Sequence, residues 1–137
     1  MPSIGTALCD SGPLVALFDK GDQAHHSCVA ALQSFNGSLV TTWPVLTEVF
    51  HFLDRPAERT ALWDFIFRSA LDVETPLVGD LLEIERLMAK YIDLPMDFAD
   101  ASLVAVAQRR SIRKVLTLDS DFRVYRPRHT HFFELLL

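Results

Sequence analysis

Asp10, Glu48, Asp100 and Asp119 each stand at the end of an apolar run or in the opening turn of a helical pattern. An acid that only solvates a surface loop needs no such placement. Carboxylates gathered in one place repel and raise one another's pKa, so a cluster of them calls for a cation. An all-oxygen donor set selects Mg2+ or Mn2+, and such a site typically serves phosphoryl chemistry. Two further acids accompany the four: Asp97, three residues before Asp100, and Asp121, two after Asp119. Asp97 and Asp100 fall in the first turn of a helix, where free backbone N–H groups and the helix dipole favour negative charge.

Bringing these acids together is a task for the elements around them. Met96 to Arg110 contains Phe98, Ala99, Ala101, Leu103, Val104, Ala105, Val106 and Ala107, which predicts a helix apolar on most of its circumference and buried in the middle of a domain. Val115 to Leu118 follows as a short strand leading into Asp119. Ile4 to Asp10 reads as a first strand, with Ser11-Gly12-Pro13 as a turn that starts a helix through Leu14 to Phe18. Asp22 to Phe35 predicts a second helix, closed by Asn36-Gly37. Ser38 to Thr42 is a strand, and Pro44 opens a helix over Val45 to Leu53 that carries Glu48 in its early part. Helices over Glu58 to Ala70 and Val78 to Tyr91 flank a strand at Leu71 to Thr75, and Phe132 to Leu137 supplies the last strand. The inner side of the Val78 to Tyr91 helix is expected to be Leu81, Leu82, Ile84, Leu87 and Met88. Strands alternating with helices imply an α/β fold with a mainly parallel sheet covered on both sides. The acids then collect at the carboxyl edge, where open α/β sheets bind ligands.

The chain has 137 residues, half of them hydrophobic, with mean hydropathy +0.19. One domain over residues 1–137 is expected. No apolar run approaches the roughly 20 residues of a membrane span. The opening MPSIGTALCD lacks a basic start and a long apolar core, so a cytoplasmic location without membrane contact is expected. Cys9 and Cys28 lack metal-binding spacing and read as buried thiols. His25 and His26, being adjacent, face different ways on a helix and do not make a metal pair. The net charge of −5 argues on average against a polyanion binder. That average hides a segregation: seven of the thirteen basic residues lie between Arg109 and His131, against only Asp119 and Asp121.

Four pieces in order resemble the PIN-domain ribonucleases, in particular VapC-type toxins of toxin–antitoxin pairs. They are Cys9-Asp10-Ser11-Gly12-Pro13-Leu14-Val15-Ala16-Leu17-Phe18, Thr47-Glu48-Val49, Met96-Asp97-Phe98-Ala99-Asp100-Ala101-Ser102-Leu103-Val104-Ala105, and Thr117-Leu118-Asp119-Ser120-Asp121-Phe122. The resemblance implies a PIN-like three-layer αβα sandwich with a mainly parallel sheet of four to five strands. It carries the family's acids onto Asp10, Glu48, Asp100 and Asp119 as the catalytic set. Asp10 and Asp100 would hold Mg2+, or Mn2+ in its place, with Glu48 and Asp119 completing the shell directly or through water and Asp121 as an extra ligand or water-positioning group. Asp97 precedes the matching position and reads as a helix N-cap. The implied activity is endoribonucleolytic hydrolysis leaving a 5′-phosphate and a 3′-hydroxyl, with Arg113, Lys114, Arg123, Arg126 and Arg128 binding flanking RNA phosphates. Implied partners are an RNA substrate, a small antitoxin protein and a second copy in a homodimer. Trp63, Phe65, Phe67 and the aliphatic residues of Val78 to Tyr91 are expected to supply the surface for another chain.

Two other classes compete. A phosphorelay receiver domain has a similar length and an acidic pocket, but it requires an acidic pair after strand one and a lysine after strand five. This chain offers Asp10 alone and no such lysine. A catalytically silent PIN-like binding module is the other alternative, against which the intact acids argue.

Overall fold

The computed structural model describes residues 5–137, so Ile4, the expected start of the first strand, lies outside the described residues. Five strands form one sheet: β1 (Gly5–Cys9), β2 (Gly37–Thr42), β3 (Leu71–Glu74), β4 (Lys114–Leu116) and β5 (Glu134–Leu135). Their order is β3-β2-β1-β4-β5 and every pairing is parallel. Six helices connect them: α1 (Ser11–Phe18), α2 (His25–Ser34), α3 (Trp43–Phe52), α4 (Pro56–Phe67), α5 (Val78–Lys90) and α6 (Phe98–Arg110). Successive strand residues face opposite sides of a sheet, and in β1 the consecutive Ala7, Leu8 and Cys9 are all fully buried. Both faces at the sheet centre are therefore covered, as parallel strands require. This is the αβα sandwich expected from the alternation of elements.

Chain order reverses around β1: β2 and β3 extend the sheet to one side, β4 and β5 to the other. The switch point lies beyond the carboxyl ends of β1 and β4, where such a sheet leaves a crevice. Cys9 pairs with Leu116 across this junction, and the Asp10 N–H donates to the Leu116 carbonyl at 3.0 Å. At the other end of β1, Gly37 of β2 faces Gly5, and a Cβ on Gly37 would lie 2.2 Å from the Gly5 carbonyl oxygen.

Helix α6 is the buried element the composition foretold. Its residues from Ala101 to Ala107 are buried without interruption. Alanines on several sides let it approach its neighbours closely, while Leu103, Val104 and Val106 each contribute about 1.5–3 kcal/mol of burial. Its one buried hydroxyl, Ser102, donates to the Ala99 carbonyl at 2.7 Å and hydrogen-bonds the Thr42 hydroxyl at 2.6 Å, tying the end of β2 to α6.

Several boundaries differ from expectation, each for a local reason. Helix α2 starts at His25, not Asp22: Asp19 and Asp22 turn the chain by accepting from the Gly21 and Ala24 N–H groups. Strand β4 stops at Leu116, and Leu118 is exposed. In α5 the inward stripe is Asp80, Ile84 and Leu87, with Met88 half-buried, whereas Leu81 and Leu82 are exposed. Asp80 takes the core-facing position because it accepts from the Leu77 N–H and pairs with Arg109 at 3.1 Å. Cys9 and Cys28 are buried free thiols, as expected.

Candidate functional site

The carboxyl edge of the sheet gathers acids from four separate elements. Asp10 follows β1 and is only 6% exposed. Its two oxygens are held separately: one accepts from the Ser11 N–H at 2.8 Å, the other from the Thr117 hydroxyl at 2.8 Å. Thr117 in turn accepts from the Asp119 N–H at 3.0 Å, and Asp119 accepts from the Asp121 N–H at 2.9 Å. A single hydroxyl thus locks the end of β1 to the loop after β4. That loop continues into a 3-10 turn over Ser120–Arg123, which Asp119 caps.

Asp97 and Asp100 form a reciprocal capping box at the start of α6. The Asp100 N–H donates to Asp97 at 2.8 Å, and the Asp97 N–H to Asp100 at 3.4 Å. Asp97 is the expected N-cap. It is more than that, since its charge raises the pKa of Asp10, Glu48 and Asp100. The Tyr125 hydroxyl reaches Asp100 at 3.5 Å from a fully buried ring.

Burial first, and mutual repulsion after it, raises the pKa values of the acids at this site. Burial pushes Asp10 up, the Ser11 and Thr117 hydrogen bonds oppose it, and Asp119 and Asp97 push it further. Burial likewise raises Glu48, partly offset by the Ser11 side chain, with Asp97 and Asp10 adding to the rise. Asp100 is raised to about 8, first by burial and then by Asp97 and Asp10. Asp121 is raised by burial and by Asp119. Tyr125 is raised by burial and by Asp100, Asp121 and Asp119, and so stays a neutral donor. Among the described residues, no basic side chain offsets these charges within the cluster.

The chain matches the PIN-domain family model over residues 7–126. It belongs to the PIN-domain family. Solved structures agree at the level of fold. The chain is similar to VapC20 of Mycobacterium tuberculosis, described as a sarcin–ricin loop cleaving toxin, with 20% identity and TM-score 0.77 over 90% of this chain and 98% of that one. It is similar to a chain of VapBC2 from Rickettsia felis, solved bound to a promoter DNA fragment, with 14% identity and TM-score 0.64 over 95% and 98%. A toxin–antitoxin complex from Klebsiella pneumoniae gives 19% identity and TM-score 0.66 over 85% and 89%. No curated protein sequence matches.

Within this PIN fold, Asp97 and Asp10 lie near enough to Glu48 and to Asp100 to raise the pKa of each, and Asp119 is joined to Asp10 through Thr117. Asp121 neighbours Asp119. Among the described residues, no three acidic, histidine or cysteine side chains converge closely enough to enclose an ion by themselves. The donor set still suits Mg2+, which binds through one or two carboxylates and keeps water or substrate phosphate in its remaining positions. Buried carboxylates without an offsetting charge are the specific feature that a divalent cation relieves.

The basic residues are dispersed rather than forming one phosphate-binding face. Lys114 begins β4, and its ammonium lies beside Gly5, the first described residue of β1. Five residues of strand, about 16 Å, separate that level from Asp10. Arg113 is next to it, pairing with Glu134 at 3.8 Å. Both belong to a cavity of about 320 Å³ at the amino edge of the sheet. Arg128 pairs with Glu83 of α5 at 2.7 Å, and Arg109 and Arg110 pair with Glu74, Asp80 and Asp72. Their charges are answered within the fold. Of the basic residues between Arg109 and Arg128, all of them among the described residues, Arg123 and Arg126 are exposed on and just after the 3-10 turn that Asp119 opens, next to the acidic edge.

Thr117 and Tyr125 are the site residues that sequence reasoning did not single out. A hydroxyl residue closing an apolar strand just before an acid was the available signal for Thr117. Tyr125 had none, because its reach to Asp100 depends on how the loop after the 3-10 turn folds back.

Proposed function

We propose that this PIN domain, taken as residues 1–137, is a cytoplasmic, divalent-metal-dependent endoribonuclease and the toxin of a toxin–antitoxin pair. The observation that carries this reading is the group of repelling carboxylates at the switch point of the sheet, Asp10, Glu48, Asp100 and Asp119. Asp10 and Asp100 are the proposed holders of Mg2+, with Mn2+ as a substitute, and Glu48, Asp119 and Asp121 complete the shell directly or through water. The ion, when bound, supplies Lewis acidity towards a phosphate oxygen and towards water.

The chain's own groups set the geometry for that chemistry. Asp10 is held by the Ser11 N–H and the Thr117 hydroxyl, so neither of its oxygens swings freely. Asp100 is oriented by its capping box with Asp97 and by Tyr125. Glu48 is half-buried, and burial together with Asp97 and Asp10 raises its pKa, which favours its accepting a proton. Arg123 and Arg126 are placed to meet phosphates flanking the bond that is cut, whereas Arg113, Lys114 and Arg128 require RNA that wraps well beyond the acidic edge.

Two of the similar structures are toxin–antitoxin assemblies, which supports an antitoxin partner for this chain. Exposed Trp63, Phe67, Val78 and Leu82 are apolar surface suited to a partner chain, and a homodimer is proposed to use part of it. Phe65 does not belong to that surface, since it is buried in the core. Cleavage of total cellular RNA in Mg2+ by wild type, and its loss in Asp10→Asn, is the direct test. Full activity in excess chelator would overturn the metal assignment. Equal divalent-ion titrations of wild type and Asp10→Asn would favour a binding module instead.

A further inference from the structure

Two aromatic rings that the cleavage reaction leaves unused stand on the rim of the acidic site. Trp43 is the first residue of α3, directly after β2, and is 61% exposed; Phe98 is the first residue of α6 and is 44% exposed. Both line one open recess of about 510 Å³, together with Pro44, Pro76, Glu48 and Asp97. The spacing of the two backbones is fixed, because the Thr42 hydroxyl, one residue before Trp43, hydrogen-bonds Ser102 of α6 at 2.6 Å. Large apolar rings held in water on a rigid frame suit a planar ligand.

The lining decides which ligand. Among the described residues no basic side chain lines this recess, and Glu48 and Asp97 lie on its wall, so a phosphate group is repelled. An aliphatic side chain of a protein would cover the two carboxylates without pairing them, which is costly. An unpaired nucleobase meets both demands. Its π-face stacks on an aromatic ring, and its amino or ring N–H groups donate to a carboxylate. We propose that Trp43 and Phe98 form a base-stacking subsite for an unpaired nucleobase of the RNA next to the scissile phosphate. This subsite rests on the nuclease reading above, because the recess contains Glu48 of the proposed catalytic set.

The test uses the full chain, Mg2+ and a short mixed-sequence single-stranded RNA. Trp43→Ala should raise KM roughly tenfold or more, the range of one lost base stack, with a smaller change in kcat. Trp43→Phe should restore most of the loss because it keeps a ring, while Trp43→Leu, which keeps apolar surface only, should not. An RNA with an abasic site beside the cleaved bond should lose the same factor with wild type and nothing further with Trp43→Ala. In a Trp63→Phe background, binding of the intact RNA should quench Trp43 fluorescence. Trp43 is exposed, so an unchanged melting temperature is expected for every variant at this position. Wild-type KM in Trp43→Ala, or equal rescue by Phe and Leu, overturns the subsite and leaves the nuclease reading standing. Equal quenching by the abasic RNA also overturns it, and shielding of Trp43 by a protein partner with cleavage kinetics unaffected by Trp43→Ala assigns the recess to that partner. Failure of wild type to bind or cleave RNA overturns both readings.

Discussion

Replacing Asp100 with Asn should stabilise the protein at pH 8 in chelator, and the amount follows from its surroundings. In the unfolded chain an aspartate titrates near ~3.9, whereas in the folded chain Asp100 keeps its proton to about pH 8. Between those values the folded state binds more protons than the unfolded state, so stability falls as pH rises through this window and levels off above it. At about 1.4 kcal/mol for each tenfold change in proton affinity, the full displacement bounds the effect at about 6 kcal/mol. Asp100 keeps partial contact with solvent, and screening there brings the expected figure to about 2–3 kcal/mol. Asn removes the charge and retains an acceptor for the Asp97 N–H, so the capping box survives. Asp100→Asn should therefore melt about 10 °C above wild type at pH 8 and close to it at pH 4. Paired thermal melts across this range in excess chelator make the measurement. A variant less stable than wild type at pH 8, or a gap independent of pH, would refute the claim that Asp100 is a buried charge without an offsetting partner.

Mg2+ or Mn2+ should raise the melting temperature of wild type at pH 8 by binding the native state, and the rise should shrink in Asp100→Asn and in Asp10→Asn; identical shifts in all three would place the ion elsewhere. Thr117→Val keeps the shape but leaves an Asp10 oxygen and the Asp119 N–H without their partner, so it should cost about 1–3 kcal/mol in denaturant unfolding and lower RNA cleavage. Arg123→Ala with Arg126→Ala should weaken RNA binding and flatten its salt dependence while leaving metal-induced stabilisation unchanged, as filter binding over a salt series would read. Light scattering at tens of micromolar should give the mass of a dimer, and a monomer would defeat that part of the proposal.

The fold and the acidic edge were legible from the sequence for the same reason. Asp10, Asp100 and Asp119 each close or open an apolar segment, so placing the segments also places these acids. Asp10 after β1 and Asp100 in the first turn of α6 follow from a period of two switching to a period near 3.6, whereas Glu48 falls in the second turn of α3 and not its first, because that helix already starts at Trp43. What escaped were features decided by side chains meeting across the fold. The run from Arg109 to Arg128 is contiguous in sequence, yet β4 and the loops around it send its members to different edges, where Glu74, Asp80, Glu83 and Glu134 answer several of them. Leu81 and Leu82 fit an apolar helix face by composition, but Asp80, satisfied by Arg109 and the Leu77 N–H, turns that face by one position. No linear pattern announces an inward acid whose partner lies 29 residues away.

The acidic edge works against folding, and the distribution of burial shows what offsets it. Asp10, Glu48 and Asp100 all have raised pKa values, so each is harder to ionise in the native state than in the unfolded chain. Opposing this, β1 ends in three fully buried residues and α6 is buried without a break from Ala101 to Ala107, and these are the segments that lead into Asp10 and out of Asp100. Thr117 and the Asp97 capping box then hold the carboxylates in place against their mutual repulsion. A chain that needed only a stable sheet would carry neutral caps at these positions. On the proposed metal reading, carboxylates held together by buried strand and helix, with no offsetting charge among the described residues, leave the remaining stabilisation to a cation, which makes ion binding and native-state stability two readings of one equilibrium.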